Sequence, residues 1–261
     1  MGLLNIKSNK NFKPPWIIGH RGYSAKYPEN TLIAYQAALA AGVTMVELDV
    51  MFSRDRKIVV IHDTTLARTT NGHGAVADFT LTELSRLDAG SWFDARSANQ
   101  HLPELGEVLD LVKDRAYINI EIKSNAYESH HPPDAIEKLV VEILRQKNLL
   151  DTGMISSFDV NILQQIASMD DAPAIAFISE NSASRNTVQL CTRLNVFSWH
   201  PDLRIVSPSL VKKMHAAGIR VFPYNVDTFK DYVRARDMNV DGLITNDPGL
   251  AAYWTGIRKA A

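Results

Sequence analysis

Short apolar runs, many of them β-branched, recur along this chain, and between them lie longer stretches whose apolar positions repeat with a helical period. The apolar runs predict eight strands, over residues 16–19, 45–50, 117–122, 154–157, 174–178, 196–199, 219–223 and 242–245. The longer stretches predict helices over 31–41, 134–147, 160–167, 208–217 and 228–237. Boundary chemistry agrees: Gly42 and Gly218 stand just past two helix ends, while Ser207-Pro208 and Asp247-Pro248 open two others. Strand and helix in alternation mean βα units and a parallel sheet. Eight such units in 261 residues predict a (β/α)₈ TIM barrel, a fold of about 250 residues with its active site at the C-terminal ends of the strands.

One region interrupts the alternation. Between His62 and Pro103 the chain is rich in turns, with a helix-forming stretch over 78–87 followed by Gly90-Ser91-Trp92-Phe93-Asp94. It is too long for a βα loop. An insertion of about 63–103 after the second strand, lying over the barrel mouth, is the expectation. Trp92 and Phe93 then either shape a substrate pocket or pack the insertion onto the barrel.

The strand ends carry the candidate chemistry. In Met45-Val46-Glu47-Leu48-Asp49-Val50-Met51 the two acids stand at i and i+2, on one face of a strand and roughly 6.6 Å apart along it. Tyr117-Ile118-Asn119-Ile120-Glu121-Ile122-Lys123 has the same form, ending in an acid and a base. Buried carboxylates need a cation, a basic partner or water. Three of them from two strands suit a hard divalent ion, Mg²⁺ or Ca²⁺, better than a structural ion-pair network. His20 and Arg21 follow the first strand, and His62 ends a further short apolar run, Ile58-Val59-Val60-Ile61. A guanidinium fork fits phosphate oxygens. Two histidines flanking one phosphate can divide proton removal from proton donation.

Composition narrows the partners. A formal net charge of -1 and the absence of a Lys/Arg-rich run argue against nucleic acid. The single cysteine, Cys191, excludes an internal disulfide, and no His pair stands beside the acids to make a zinc site. No stretch approaches the ~20 apolar residues of a membrane span, and residues 1–13 lack the apolar core of a signal peptide, so a cytoplasmic protein is expected.

In order and spacing, His20-Arg21-Gly22, Pro28-Glu29-Asn30-Thr31, Glu47-Leu48-Asp49-Val50, Val60-Ile61-His62-Asp63, Arg68-Thr69-Thr70-Asn71-Gly72 and Glu121-Ile122-Lys123 resemble the glycerophosphodiester phosphodiesterase family, most of all its short cytoplasmic bacterial members. Ser156-Ser157-Phe158 and Val240-Asp241-Gly242-Leu243-Ile244-Thr245 extend the likeness nearly end to end. The resemblance implies a barrel with an insertion after the second strand, a divalent metal, and hydrolysis of glycerophosphodiesters to glycerol 3-phosphate and an alcohol. It implies Glu47, Asp49 and Glu121 as metal ligands, His20 and His62 as acid and base, and Arg21 and Lys123 as phosphate contacts. Where the family often has Trp-Thr-Val-Asn after its seventh strand, this chain has Tyr224-Asn225-Val226-Asp227, which keeps an aromatic substrate contact in Tyr224 and changes its polar neighbours. It has Pro103-Glu104-Leu105 where many members have Pro-Thr-Leu. The alternatives are a lysophospholipase D or sphingomyelinase D type enzyme, which needs an apolar groove for an acyl chain, and a noncatalytic phosphodiester-binding barrel.

Overall fold

A computed structural model describes residues 3–9, 13–181 and 185–256. The first half contains β1 (Trp16–Gly19), α1 (Leu32–Ala41), β2 (Met45–Phe52), β3 (Ile58–Val60), α2 (Leu81–Leu84), α3 (Leu105–Val112), β4 (Tyr117–Ile122) and α4 (Ile136–Gln146). The second contains β5 (Gly153–Ser157), α5 (Val160–Ala167), β6 (Ala174–Ser179), α6 (Arg185–Arg193), β7 (Ser198–Pro201), α7 (Pro208–Ala216), β8 (Arg220–Val221), α8 (Phe229–Asp237), β9 (Gly242–Thr245) and α9 (Pro248–Trp254).

Eight of the strands form a parallel sheet in the order β8-β7-β6-β5-β4-β2-β1-β9. Its open seam is drawn together by main-chain bonds across the residues after β8: Asp241 N–H donates to the Val221 carbonyl (3.0 Å), Ile244 to Pro223 (3.1 Å) and Val226 back to Ile244 (2.9 Å). The result is a nearly closed TIM barrel. Strands buried on both faces explain why they read as continuous apolar runs rather than alternating ones.

β3 lies outside this path. It pairs antiparallel with the C-terminal extension of β2, Val50 opposite Val60 and Phe52 opposite Ile58. The hairpin leaves the rim and returns to it, and Ile61 N–H reaches the Asp49 carbonyl at 3.0 Å. His62 is thereby delivered to the mouth.

Three apolar clusters hold the molecule. The largest lies between sheet and helices and includes Val46, Leu48, Leu109, Ile120 and Trp199. A second fills the N-terminal end of the barrel interior, around Trp16, Tyr117 and Phe222. A third, with Leu66, Val76, Leu84 and Leu102 packed on Met51, Val59 and Ile61, belongs to the segment after β3. The helix expected over 78–87 is shorter than its sequence suggests, a single turn at Leu81–Leu84 preceded by a 3₁₀ turn at Val76–Asp78. Thr80 and Glu83 close a capping box on that turn, and its Leu84 is buried in the third cluster. Gly90 is fixed by close packing, since a Cβ there would fall 1.7 Å from the Ser97 carbonyl oxygen.

Candidate active site

The ladder between β2 and β4 sets the acidic cluster. Asp49 is registered with Glu121 and Glu47 with Asn119, so all three acids point into the barrel, Asp49 and Glu121 at one level and Glu47 one step below them. One carboxylate oxygen from each of Glu47, Asp49 and Glu121 lies within 4.8 Å of the others, and all three residues are buried. Three like charges this close cannot all be ionised without a cation. Burial first, then the charges of Asp49 and Glu121, push the Glu47 carboxyl well above the usual range. Glu121 is raised by burial and by Asp49. Burial opposes ionisation of Asp49 as well, but Lys123 and Arg21 outweigh it and hold this carboxyl below its ordinary value.

Two bases neutralise part of the cluster. Lys123 Nζ donates to Glu121 Oε1 at 2.6 Å and to Asp49 Oδ1 at 3.2 Å. Arg21 Nε lies 3.3 Å from Asp49 Oδ2, and its main-chain N–H donates to Glu47 Oε2 at 2.8 Å. That N–H points inward because Arg21 adopts a left-handed backbone, φ 55°, followed by Gly22 at φ 86°. Only glycine fits at 22: a Cβ would meet the Ala34 backbone of α1 at 2.7 Å. Asn30 supports the other side. Its amide donates to Asp49 Oδ2 (2.9 Å) while its oxygen accepts from the buried Tyr35 hydroxyl (2.7 Å). Thr31, next in sequence, is the N-cap of α1.

His20 and His62 flank this cluster and line one cavity of about 410 Å³ with Arg21, Glu47, Glu121 and Lys123. Both use Nδ1 for support. His62 Nδ1 bonds to Asp63 Oδ1 (2.6 Å), and Asp63 is held by Arg68, whose guanidinium also grips Glu29, which in turn holds Arg21. His20 Nδ1 bonds to Asn246 Oδ1 (2.7 Å). Burial and the Arg21 charge lower His20 to about 4, and burial lowers His62. Both rings leave Nε2 free of protein partners among the described residues.

The opposite wall is formed by Phe158, Ile178, Glu180, His200, Asp202 and Tyr224. Tyr224 is half-buried with its hydroxyl 3.4 Å from the Ser179 carbonyl, and burial and the nearby Glu180 raise its phenol. His200 is fully buried, bonds through Nε2 to the Ser198 hydroxyl (2.9 Å), stacks on Phe222 and is lowered to about 3 by burial. Trp92 and Phe93 are absent from the lining. They pack edge-to-face on each other at 5.6 Å, and Trp92 Nε1 caps the Ala89 carbonyl. His73 and His130 are exposed. Asn30, Asp63 and Arg68 stand in motifs read from the sequence but without an assigned contact, and Asn119 and Asn246 are parts of the site that sequence reasoning did not single out. Asn119 is the one with a legible signal, standing at i−2 from Glu121 on the same strand face.

The buried carboxylate trio is able to hold a hard divalent ion. Glu47 Oε1 is buried with no hydrogen-bond partner, and oxygen donors without Cys or His suit Mg²⁺ or Ca²⁺. With an Arg, a Lys and two imidazoles on the same cavity, the fold and site define a barrel equipped to handle phosphate esters.

Comparison with known proteins agrees. The model of the glycerophosphoryl diester phosphodiesterase family matches residues 20–250. A glycerophosphodiester phosphodiesterase of Caldanaerobacter subterraneus subsp. tengcongensis is 36% identical over 233 residues, covering 89% of this chain and 94% of that one. A phosphodiesterase of Oleispira antarctica, solved in complex with the product sn-glycerol-3-phosphate, superposes with a TM-score of 0.85 at 26% identity, over 93% and 97% of the two chains. A protein of Silicibacter pomeroyi solved as a glycerophosphoryl diester phosphodiesterase gives 0.84, also at 26%, over 93% and 94%. The chain belongs to the glycerophosphoryl diester phosphodiesterase family and is an enzyme of that class. Among the described residues no helix is long and apolar enough to cross a membrane.

Proposed function

We propose that the cavity hydrolyses small glycerophosphodiesters to glycerol 3-phosphate and an alcohol, with Glu47, Asp49 and Glu121 holding Mg²⁺ or Ca²⁺. The observation that carries this reading is the packing of three buried carboxylates within 4.8 Å, with Glu47 Oε1 unpartnered, in a cavity lined also by His20 and His62. A bound cation supplies Lewis-acid polarisation of the phosphate and acidifies a coordinated hydroxyl.

The protein's own groups supply the rest. Arg21 and Lys123 lie close enough to the trio to place positive charge against the phosphoryl oxygens as charge develops. His20, backed by a neutral amide, is the base that removes the proton from the attacking hydroxyl at Nε2. His62, backed by the Asp63 carboxylate, is better able to take up a second ring proton from water, and in that protonated form it delivers the proton from Nε2 to the leaving alcohol oxygen. Whether the attacking hydroxyl belongs to the substrate's glycerol or to water, the same base serves. Tyr224 and Phe158 form the wall on which the alcohol rests.

The cavity lining includes four apolar side chains, Phe158, Ile178, Tyr224 and Ile244, too few to line a groove for an acyl chain. This favours water-soluble diesters over lysolipids. The test is release of glycerol 3-phosphate from a panel of glycerophosphodiesters and lysophospholipids after chelation, then with Mg²⁺, Ca²⁺ or Mn²⁺ restored singly. Metal-restored turnover of the soluble diesters is expected. Turnover of lysolipids alone, or of nothing, would overturn the reading.

A further inference from the structure

Asn119 lines the catalytic cavity but takes no part in metal binding or proton transfer. It stands on β4 two residues before Glu121, one step deeper in the barrel, in register with Glu47 on one side and Met154 on the other. The residue is 1% exposed, and its Oδ1 is enclosed with no hydrogen-bond partner among the described residues. A buried amide oxygen in that state is costly, and it can only accept. Neither ladder neighbour supplies a donor: Glu47 as a metal ligand is a carboxylate, which only accepts, and Met154 carries a thioether. A molecule that reaches this point must therefore bring its own O–H or N–H. In a glycerophosphodiester the phosphoryl and ester oxygens only accept, and Arg21 and Lys123 answer them on the same cavity. The glycerol hydroxyls donate. The one beside the ester carbon stays near the phosphate, while the terminal one extends a carbon further. Ile178 and Ile244 offer apolar lining for the carbon chain that carries it.

We propose that Asn119 selects the glycerol side of the substrate: its Oδ1 accepts the terminal glycerol hydroxyl, so the enzyme takes glycerol diesters and rejects those whose terminal carbon bears no hydroxyl. This deepens the glycerophosphodiester reading of the cavity and rests on it. A site that buries a polar group for one substrate hydroxyl discriminates strongly, because the analogue lacking that hydroxyl leaves the group unpaired. A second buried polar side chain, His200, lines the same cavity. Its Nε2 is engaged by the Ser198 hydroxyl and its ring by Phe222, whereas the Asn119 side chain has no such contact among the described residues and adjoins the carboxylate trio. Asn119 is therefore the better placed of the two to take the hydroxyl.

The test compares two chromogenic diesters that share a p-nitrophenol leaving group. One is built on glycerol, the other on 1,2-propanediol, which keeps the hydroxyl beside the ester carbon and lacks the terminal one. Metal-loaded full-length wild type is expected to favour the glycerol diester by at least about a hundredfold in kcat/KM. Asn119→Leu nearly keeps the side chain's volume and removes the acceptor, and should bring that ratio to within about threefold. Thermal melts show whether the variant is folded, and Asn119→Ala replaces it if it is not. A packing defect slows both diesters alike, so only a lost hydroxyl contact moves the ratio. A smaller wild-type ratio, or one that survives in the variant, would overturn the proposal. Discrimination that persists there and vanishes in His200→Phe would place the contact on β7 and overturn it equally. If wild type hydrolyses no diester at all, the functional reading fails. Calorimetric binding of glycerol 3-phosphate against 1,2-propanediol phosphate then decides the role of Asn119 separately, a preference lost in Asn119→Leu supporting it and equal binding by wild type refuting it.

Discussion

The two ends of the barrel interior are built on opposite principles. At the N-terminal end Trp16 stacks on Tyr117 at 4.8 Å, Phe222 packs against both Trp16 and Phe197, and Ile6 closes the opening at 1% exposure. At the C-terminal end, the interior positions of the same strands carry Glu47, Asp49, Glu121 and Lys123. One end gains stability from apolar burial and ring stacking. The other gives stability up, placing three carboxylates where water is excluded and two bases do not fully compensate. The barrel thus separates what holds it together from what it does, and the separation follows from strand direction alone.

Removing a proposed metal ligand should have the largest effect. Asp49→Asn removes charge from the rim, and loss of metal-derived stabilisation of several kcal/mol corresponds to at least about a thousandfold in turnover. The metal-free variant should melt no more than a few degrees away from wild type, because like-charge repulsion is relieved as the hydrogen bond to Lys123 and the ion pair with Arg21 weaken. A collapse of thermal stability would show that the trio is structural.

His62→Ala comes next, with an expected loss of about 10² to 10⁴ in kcat and metal affinity unchanged, read by steady-state kinetics beside a metal titration. Trp16→Ala is its mirror image. It should cost about 3–5 kcal/mol in denaturant unfolding, as large aromatic truncations do, while kcat per folded molecule stays close to wild type. A large kcat loss in the Trp16 variant would erase the distinction between the two ends.

The smallest effect sharpens the boundary between them. His200 lies where the apolar interior meets the cavity, and burial lowers it to about 3 from an unfolded value near 6.5. The unfolded chain therefore binds a proton that the folded one refuses between those values. Stability is full above pH 6.5 and falls as the pH drops toward 3. For one such group the loss between pH 7 and pH 5 is about 2 kcal/mol. His200→Gln keeps a partner for Ser198 and should flatten that part of the acid profile, measured by unfolding at both pH values. An unchanged slope would place the acid sensitivity elsewhere.

Much of this was legible because parallel barrel strands are apolar throughout, so any charge on them stands out. Glu47, Asp49, Glu121 and Lys123 declare themselves by interrupting such runs, and His20-Arg21 by following one. The supporting network was not legible in the same way. Asn30 meets Asp49 across 19 residues, Arg68 meets Glu29 across 39, and His20 meets Asn246 across 226. These contacts are set by barrel closure rather than by any local pattern. Trp92 is open to two readings in the sequence for a related reason: an aromatic in an insertion advertises burial or binding equally, and here it packs on Phe93 and its own loop.

The central claim is that the rim carboxylates form one cation site on which hydrolysis depends. Calorimetric titration of the metal-free protein with Mg²⁺ and Ca²⁺, wild type beside Glu47→Gln, tests it most directly. Wild type should bind one cation saturably, with proton release because Glu47 starts with a raised pKa, and the variant should bind far more weakly without that release. Equal binding by both proteins, or no saturable binding by wild type, would contradict the account.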